Sequence, residues 1–186
     1  DIPIQHASNN ILTRMNRKHD VGHLREVLAK LRANIDNLVL RTTVMVGFPG
    51  ETEKDFQSLY NFIKETEFDW LGVFTFDPEE NTPAFSMERQ IDAGTKRERR
   101  DLILELQNKI TRQKNIGRIN QKQPILISSQ IAKNLYIGRG YYQAPEVDGI
   151  TMVKTHKPLV KGEIVNVQLK GVRNYDMIGE LDNEPT

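Results

Sequence analysis

The sequence predicts an α/β part followed by an all-β part: the last three β/α units of a parallel (β/α) barrel, a long connecting helix, and a small five-stranded antiparallel β-barrel of the oligonucleotide-binding type. Three observations carry this prediction. The run Thr42-Thr43-Val44-Met45-Val46-Gly47-Phe48-Pro49-Gly50-Glu51-Thr52 reads as a buried strand that breaks into a tight loop and restarts as a helix. The segments around it alternate strand and helix with short connections, which implies parallel strands and right-handed crossovers. From Lys122 onward the pattern changes to short β runs separated by turn residues.

Taken in order, an apolar stretch at residues 2–4 reads as the first strand, and residues 9–15 suit a brief helix. Val21, Leu24, Leu28, Leu31 and Ile35 recur at helical spacing, so one face of that helix is buried. Residues 38–46 are mostly apolar, as befits a strand covered on both faces. Gly47 and Gly50 permit positive φ or a close backbone approach, Pro49 stiffens the turn, and Thr52 followed by Asp55 signals the N-cap of the next helix. Backbone N–H groups in such a loop are expected to be open to a ligand. Phe56, Leu59, Tyr60 and Ile63 mark the helix that follows, and residues 70–76 form the third strand. Three units cannot close a barrel by themselves.

Residues 77–87, with Pro78, Asn81 and Pro83, form a loop at the C-terminal end of the third strand, the edge that faces the active site in such sheets. A long helix then runs from Lys96 to about Ile119, with Leu102, Leu106 and Ile110 on its apolar side and an excess of basic residues, Lys96, Arg97, Arg99 and Arg100 among them, that reads as a solvated face or, alternatively, as a contact for an acidic partner. Five β runs follow, at 124–129, 135–142, 149–155, 163–169 and 177–181. The expected division is 1–93 for the barrel segment, 94–120 for the connecting helix and 121–186 for the small barrel.

The composition is ordinary globular, and the net charge of +1 excludes a polybasic coat, so any nucleic-acid affinity has to come from a local patch. In the small barrel the basic residues are nearly matched by acidic ones, a poor electrostatic footprint for RNA. No apolar run approaches the roughly 18 residues that span a bilayer. The expected location is cytoplasmic. The chain has no cysteine, which removes disulfides, thiolate nucleophiles and iron–sulfur ligation by its own residues. His6 and His19 lack a companion pattern of metal ligands, so no metal site is expected. Asp1-Ile2-Pro3-Ile4-Gln5 reads as a strand already under way, and the chain is expected to be the C-terminal portion of a longer protein.

Four stretches, in order, carry a resemblance: Asp1-Ile2-Pro3-Ile4-Gln5-His6-Ala7-Ser8, then Met15-Asn16-Arg17, then Val46-Gly47-Phe48-Pro49-Gly50-Glu51-Thr52, then Pro78-x-x-x-Thr82-Pro83-Ala84. Together, ahead of a small β-barrel, they resemble the C-terminal portion of the radical S-adenosylmethionine methylthiotransferases, over essentially the whole chain. In that family the strands belong to a radical-SAM barrel and the C-terminal barrel is a TRAM domain. Gly138-Arg139-x-Tyr141-x-x-Ala144-Pro145-Glu146-Val147-Asp148-Gly149 resembles the branch that modifies a ribosomal protein, as does Pro3-Ile4-Gln5-His6. The alternatives are the tRNA-modifying branch and a non-catalytic RNA- or ribosome-binding module.

The resemblance implies a reaction in which a reduced four-iron, four-sulfur cluster cleaves S-adenosylmethionine to a 5′-deoxyadenosyl radical. That radical takes hydrogen from the β-carbon of an aspartate on the twelfth small-subunit ribosomal protein. A second cluster is implied in sulfur supply, and another S-adenosylmethionine provides the methyl group. Both clusters need cysteine ligands, so they are expected on a cluster-bearing part of the same protein upstream of Asp1, and this chain alone is expected to be inactive. Gln5 and Ser8 are then candidates for ribose or the methionyl carboxylate, Arg14 and Arg17 for the carboxylate through bidentate pairing. Thr43 offers a hydroxyl from its strand, Gly47 room for the adenine edge, and the backbone around Phe74 and Phe76 a means of reading it. Arg139, Tyr141 and Asp148 are the candidate contacts to the ribosomal protein, although Gly138, Gly140 and Gly149 equally describe hairpin geometry.

Overall fold

A computed structural model describes residues 1–182; the last four residues of the segment expected as the small barrel, 183–186, lie outside the described residues. The chain divides into two compact units, Asp1–Ile110 and the remainder from Thr111.

The first unit is built on parallel extended segments. β1 (Arg41–Val46) and β2 (Trp70–Thr75) pair in parallel, with Thr43 opposite Gly72 and Met45 opposite Phe74. The expected first strand is present only as a single parallel bridge, Gln5 to Val44, held by Ile2 N–H to Arg41 O, Gln5 N–H to Thr43 O and Met45 N–H to Gln5 O. The reason is local: Pro3 has no N–H to give, and Gln5 turns to φ +65, so the ladder stops there.

Helices α1 (Asn9–Arg14), α2 (Val21–Asn34) and α3 (Glu53–Thr66) connect these segments, and α4 (Ala93–Ile116) follows. α2 starts at Asp20, whose carboxylate accepts from His23 N–H at 2.8 Å. α3 starts with a full capping box: Asp55 N–H donates to the Thr52 hydroxyl, and Asp55 in turn accepts from Thr52 N–H.

The apolar core lies on one face of the sheet, where Ile4, Val44, Leu59, Phe62, Ile63 and Ile103 are fully or almost fully buried, with Leu71 and Val73 packed against them. α4 contributes through Ile103 and Leu106, with Ile110 alongside. The expected apolar side is therefore rotated, because Leu102 is exposed. The 103, 106, 110 spacing is itself helical, and the sequence offered apolar residues on both sides of the turn.

The second unit is a closed barrel of β3 (Lys122–Ala132), β4 (Leu135–Arg139), β5 (Thr151–Lys154), β6 (Ile164–Arg173) and β7 (Asp176–Leu181), in the order β3-β4-β5-β7-β6 with β6 returning to β3. Four ladders are antiparallel, and β5–β7 is parallel. Since β6 pairs with β3, its hairpin partner β7 arrives beside β5 running the same way. Asn134 and Asn174, at φ +64 and +56, supply the left-handed turn residues of the two hairpins. Alternating Ile125, Ile127, Tyr136, Val153, Val167, Leu169 and Met177 fill the interior.

Candidate functional site

The loop after β1 is closed from within. Glu51 folds back so that its Oε2 accepts from Gly47 N–H at 2.6 Å and from Phe48 N–H at 3.3 Å. Gly50 N–H donates to Arg89 O, Glu51 N–H to Phe48 O and Thr52 N–H to the Asp55 carboxylate. The loop therefore has no amide left for an anion, contrary to the expectation from its Gly-Phe-Pro-Gly sequence. Gly47 sits at φ +75, and a Cβ there would stand 2.3 Å from Cγ of Lys96. The space expected for an adenine edge is filled by that lysine stem, whose ammonium donates to Phe76 O at 2.8 Å.

A buried charged network backs the loop. The other oxygen of Glu51 accepts from Arg99 of α4 at 3.0 Å, and the same guanidinium reaches Glu53 at 3.4 Å and lies 5.4 Å from the Phe56 ring centre. Burial pushes the Glu51 carboxyl up from its ordinary range, while Arg99 and the two loop amides oppose that push. His6 is fully buried beside it, with Nε2 at 3.8 Å from Glu51 Oε2. His6 Nδ1 accepts from Ser8 N–H at 3.0 Å, which leaves the ring proton on Nε2, and that atom has no hydrogen-bond partner. Burial lowers the His6 pKa to about 4, so the ring is neutral near pH 7.

Ser8 donates to Asp55 Oδ1 at 2.5 Å and so is committed to the cap of α3. Burial alone would raise the Asp55 carboxyl; donors from Ser8, Thr52 and Asn10 outweigh it and hold the group below its usual value. Arg14, expected to pair with a carboxylate, instead donates through Nε to Pro49 O at 2.9 Å and lies against Gly50 as a brace. Arg17 is exposed beyond the end of α1.

The face of the sheet opposite the core is different. Thr43 stands opposite Gly72 there and Met45 opposite Phe74, while Gln5, on the neighbouring segment, is in register with Val44 and bonds through its N–H to Thr43 O. Thr43 is half-buried; the fully buried hydroxyl is that of Thr42, which donates to Ile2 O and accepts from Ile4 N–H on the core side. Phe74 is 61% exposed, whereas Phe76 is buried edge-on against Phe48 at 5.1 Å. Phe76 N–H goes to Val46 O and its carbonyl to Lys96, so its backbone is spoken for and the expected reading role does not fit it. Gly72 was not singled out from the sequence, although an isolated glycine inside a strand is a signal of close approach. A Cβ at Gly72 would meet only the Thr43 hydroxyl, at 3.8 Å.

In the second unit, Arg139 and Asp148 line a groove of about 450 Å³ together with Leu126, Ile137, Pro145 and Lys161. Asp148 also closes its own turn by accepting from Ala144 N–H at 2.8 Å. Tyr141 is 58% exposed and stands edge-on to the buried Tyr142. Gly138, Gly140 and Gly149 all have ordinary φ; close neighbours fix them, since a Cβ at Gly138 would stand 2.5 Å from Leu126 O. Among the described residues no group of three His, Cys, Asp or Glu is placed to hold a metal ion.

A parallel α/β segment joined to an OB-like barrel is thus the class of molecule the fold defines. The Radical SAM superfamily matches residues 1–63 and the TRAM domain residues 119–181. The chain is 63% identical over 180 residues to the ribosomal protein uS12 methylthiotransferase RimO of Syntrophomonas wolfei, 97% of this chain and 41% of that protein. It is 44% identical over 185 residues to the RimO of Acetivibrio thermocellus, 99% of this chain and 41% of that protein, and 40% identical over 181 residues to that of Aquifex aeolicus, 96% and 42%. The chain thus carries a Radical SAM superfamily match followed by a TRAM match, and over nearly all of its length it is similar to these methylthiotransferases. It spans about two fifths of the length of these relatives. The Radical SAM match implies S-adenosylmethionine and iron–sulfur clusters in general, and with no cysteine among its residues this chain does not itself ligate a cluster through thiolates.

Proposed function

We propose that this chain supplies cofactor-facing surface and substrate docking for a ribosomal protein aspartate methylthiotransferase whose clusters are held by a separate part of the same protein. The observation that supports this most directly is the open face of the sheet. There Thr43, Gly72 and Phe74 lie side by side away from the core, with Gln5 on the neighbouring segment, next to a loop whose own donors are all consumed. A glycine floor, one hydroxyl and an exposed ring suit an adenosyl group, which stacks on aromatic faces and needs few polar partners. When bound, S-adenosylmethionine supplies the radical and methyl-transfer chemistry. The residues of this chain orient it and exclude water.

Glu51, Arg99 and Lys96 act one layer back: they lock the loop and the start of α4 to the ends of β1 and β2, so that the open face keeps its shape. On the barrel, Arg139, Tyr141 and Asp148 offer a mixed-charge surface beside the groove, which suits a protein segment better than a nucleic-acid backbone. The relatives are named for ribosomal protein uS12, and that protein is the substrate proposed for this chain, in the cytoplasm where ribosomes are. No helix of the described residues is long and apolar enough to cross a membrane.

The test is transfer itself. Full-length protein with reconstituted clusters, given S-adenosylmethionine, a reductant and the twelfth small-subunit ribosomal protein, is expected to place a methylthio group on one aspartate, located by tandem mass spectrometry. Modification of a tRNA adenosine instead would replace this reading with the tRNA-modifying one.

A further inference from the structure

The outer edge of β2 is open. Trp70 N–H donates to Leu40 O and Phe76 N–H to Val46 O, so the even-numbered residues of β2 face β1. The N–H and C=O groups of Leu71, Val73 and Thr75 therefore point to the other edge, where no strand pairs with them among the described residues. Edge strands in soluble proteins are ordinarily blunted by lysine, proline or a bulge. β2 reads Trp-Leu-Gly-Val-Phe-Thr and carries none of these; in place of a guard it carries Phe74, 61% exposed. Just beyond its C-terminal end, Asp77, Glu79 and Glu80 are all exposed and acidic.

We propose that this edge takes up an extended, basic segment of the substrate protein as an added β-strand, a deepening that rests on the ribosomal-protein reading above. Ribosomal proteins carry excess Lys and Arg because they bind RNA phosphates, and the carboxylates at the end of β2 complement that charge. Main-chain bonds to Leu71, Val73 and Thr75 supply affinity without sequence demands, while the pleat sends alternate side chains of the added strand to the face that carries Thr43, Gly72 and Phe74. Strand addition thus delivers a side chain of the substrate to the cofactor face in a fixed register. Neither the Gly-Phe-Pro-Gly loop, with its amides closed, nor the buried core offers such a template.

The probe is a synthetic peptide spanning the modified aspartate of the twelfth small-subunit ribosomal protein, added to the 186-residue chain and followed by amide hydrogen exchange. Protection of Leu71, Val73 and Thr75 is expected to rise about tenfold or more. The same peptide N-methylated at alternate residues is expected to bind about tenfold more weakly, because its strand donors are gone. Val73→Pro removes an outward N–H at an edge position, where proline is tolerated, and is expected to weaken binding similarly, with the fold retained by circular dichroism at a lowered melting temperature because Val73 also packs against the core. Asp77→Asn with Glu79→Gln and Glu80→Gln is expected to weaken it several-fold and flatten its salt dependence.

Peptide binding with no added protection at these three amides, or with full tolerance of N-methylation, overturns the proposal. So does protection that needs no peptide but grows with protein concentration, which would make the edge a contact between two copies. Methylthiolation of the intact substrate by full-length Val73→Pro protein with an unchanged KM would sink strand addition and leave the enzyme reading standing.

Discussion

The guanidinium of Arg99 donates at 3.0 Å to the carboxylate of Glu51, and both side chains lie almost wholly out of water. This contact joins α4 to the loop after β1. Removing one partner of a buried pair leaves an uncompensated charge, so Arg99→Met is expected to lower the stability of the chain by about 3 kcal/mol. Glu51→Ala is expected to cost more, because it orphans the N–H groups of Gly47 and Phe48 as well as the guanidinium. Urea midpoints of the two variants check this order; equal midpoints would remove Glu51 from the centre of the network.

His6 gives the network a pH signature. The unfolded imidazole takes up a proton near pH 6.5, but the buried ring does so only at about 4. Between these values the unfolded chain binds more protons, so the contribution of His6 is complete above pH 6.5 and is lost as the pH falls towards 4, by about 3 kcal/mol in all. Glu51, whose carboxyl is raised, acts in the opposite direction above its unfolded value, and the comparison that isolates the imidazole is wild type against His6→Gln. The stability gap between them is expected to shrink steadily from pH 7 to pH 4.5 in urea titrations. A constant gap would mean that His6 is not the titrating group.

Gly47 carries two separable constraints. Its φ of +75 disfavours any side chain, by about 1–2 kcal/mol, and its missing Cβ makes room for the Lys96 stem. Gly47→Ala is expected to be destabilising, and adding Lys96→Ala to restore only the steric part. A thermal-melt comparison showing complete rescue would remove the backbone constraint from the account; no rescue would remove the packing one.

Much of the architecture was legible because it rests on local signals. Helical spacing of Leu24 and Leu28, the Thr52 and Asp55 capping box, and the change to short β runs at Lys122 all stand where the pattern put them. Pairing was less legible: the residue 2–5 segment reads as a strand but makes one bridge, since Gln5 turns left-handed. The site was read in part. Thr43 and Phe74 stand on adjacent strands, Thr43 opposite Gly72 and Phe74 opposite Met45, as parallel register dictates. Sequence could not tell that Arg99 alone of its basic neighbours is buried against Glu51, because that depends on the rotation of α4 about its axis. It also could not tell that Glu51 would take the loop amides, nor that Arg14 would brace Pro49, since both are contacts between elements.

The account turns on the open face of the sheet being the cofactor surface, and Gly72 tests it with least disturbance. A Cβ at Gly72 meets only ordinary contact, and valine suits a strand, so Gly72→Val is expected to fold with an unchanged melting temperature while filling the floor between Thr43 and Phe74. Measured by equilibrium dialysis on full-length, cluster-reconstituted protein, its affinity for S-adenosylmethionine is expected to fall about tenfold or more. A folded Gly72→Val protein that binds S-adenosylmethionine as tightly as wild type would contradict the account.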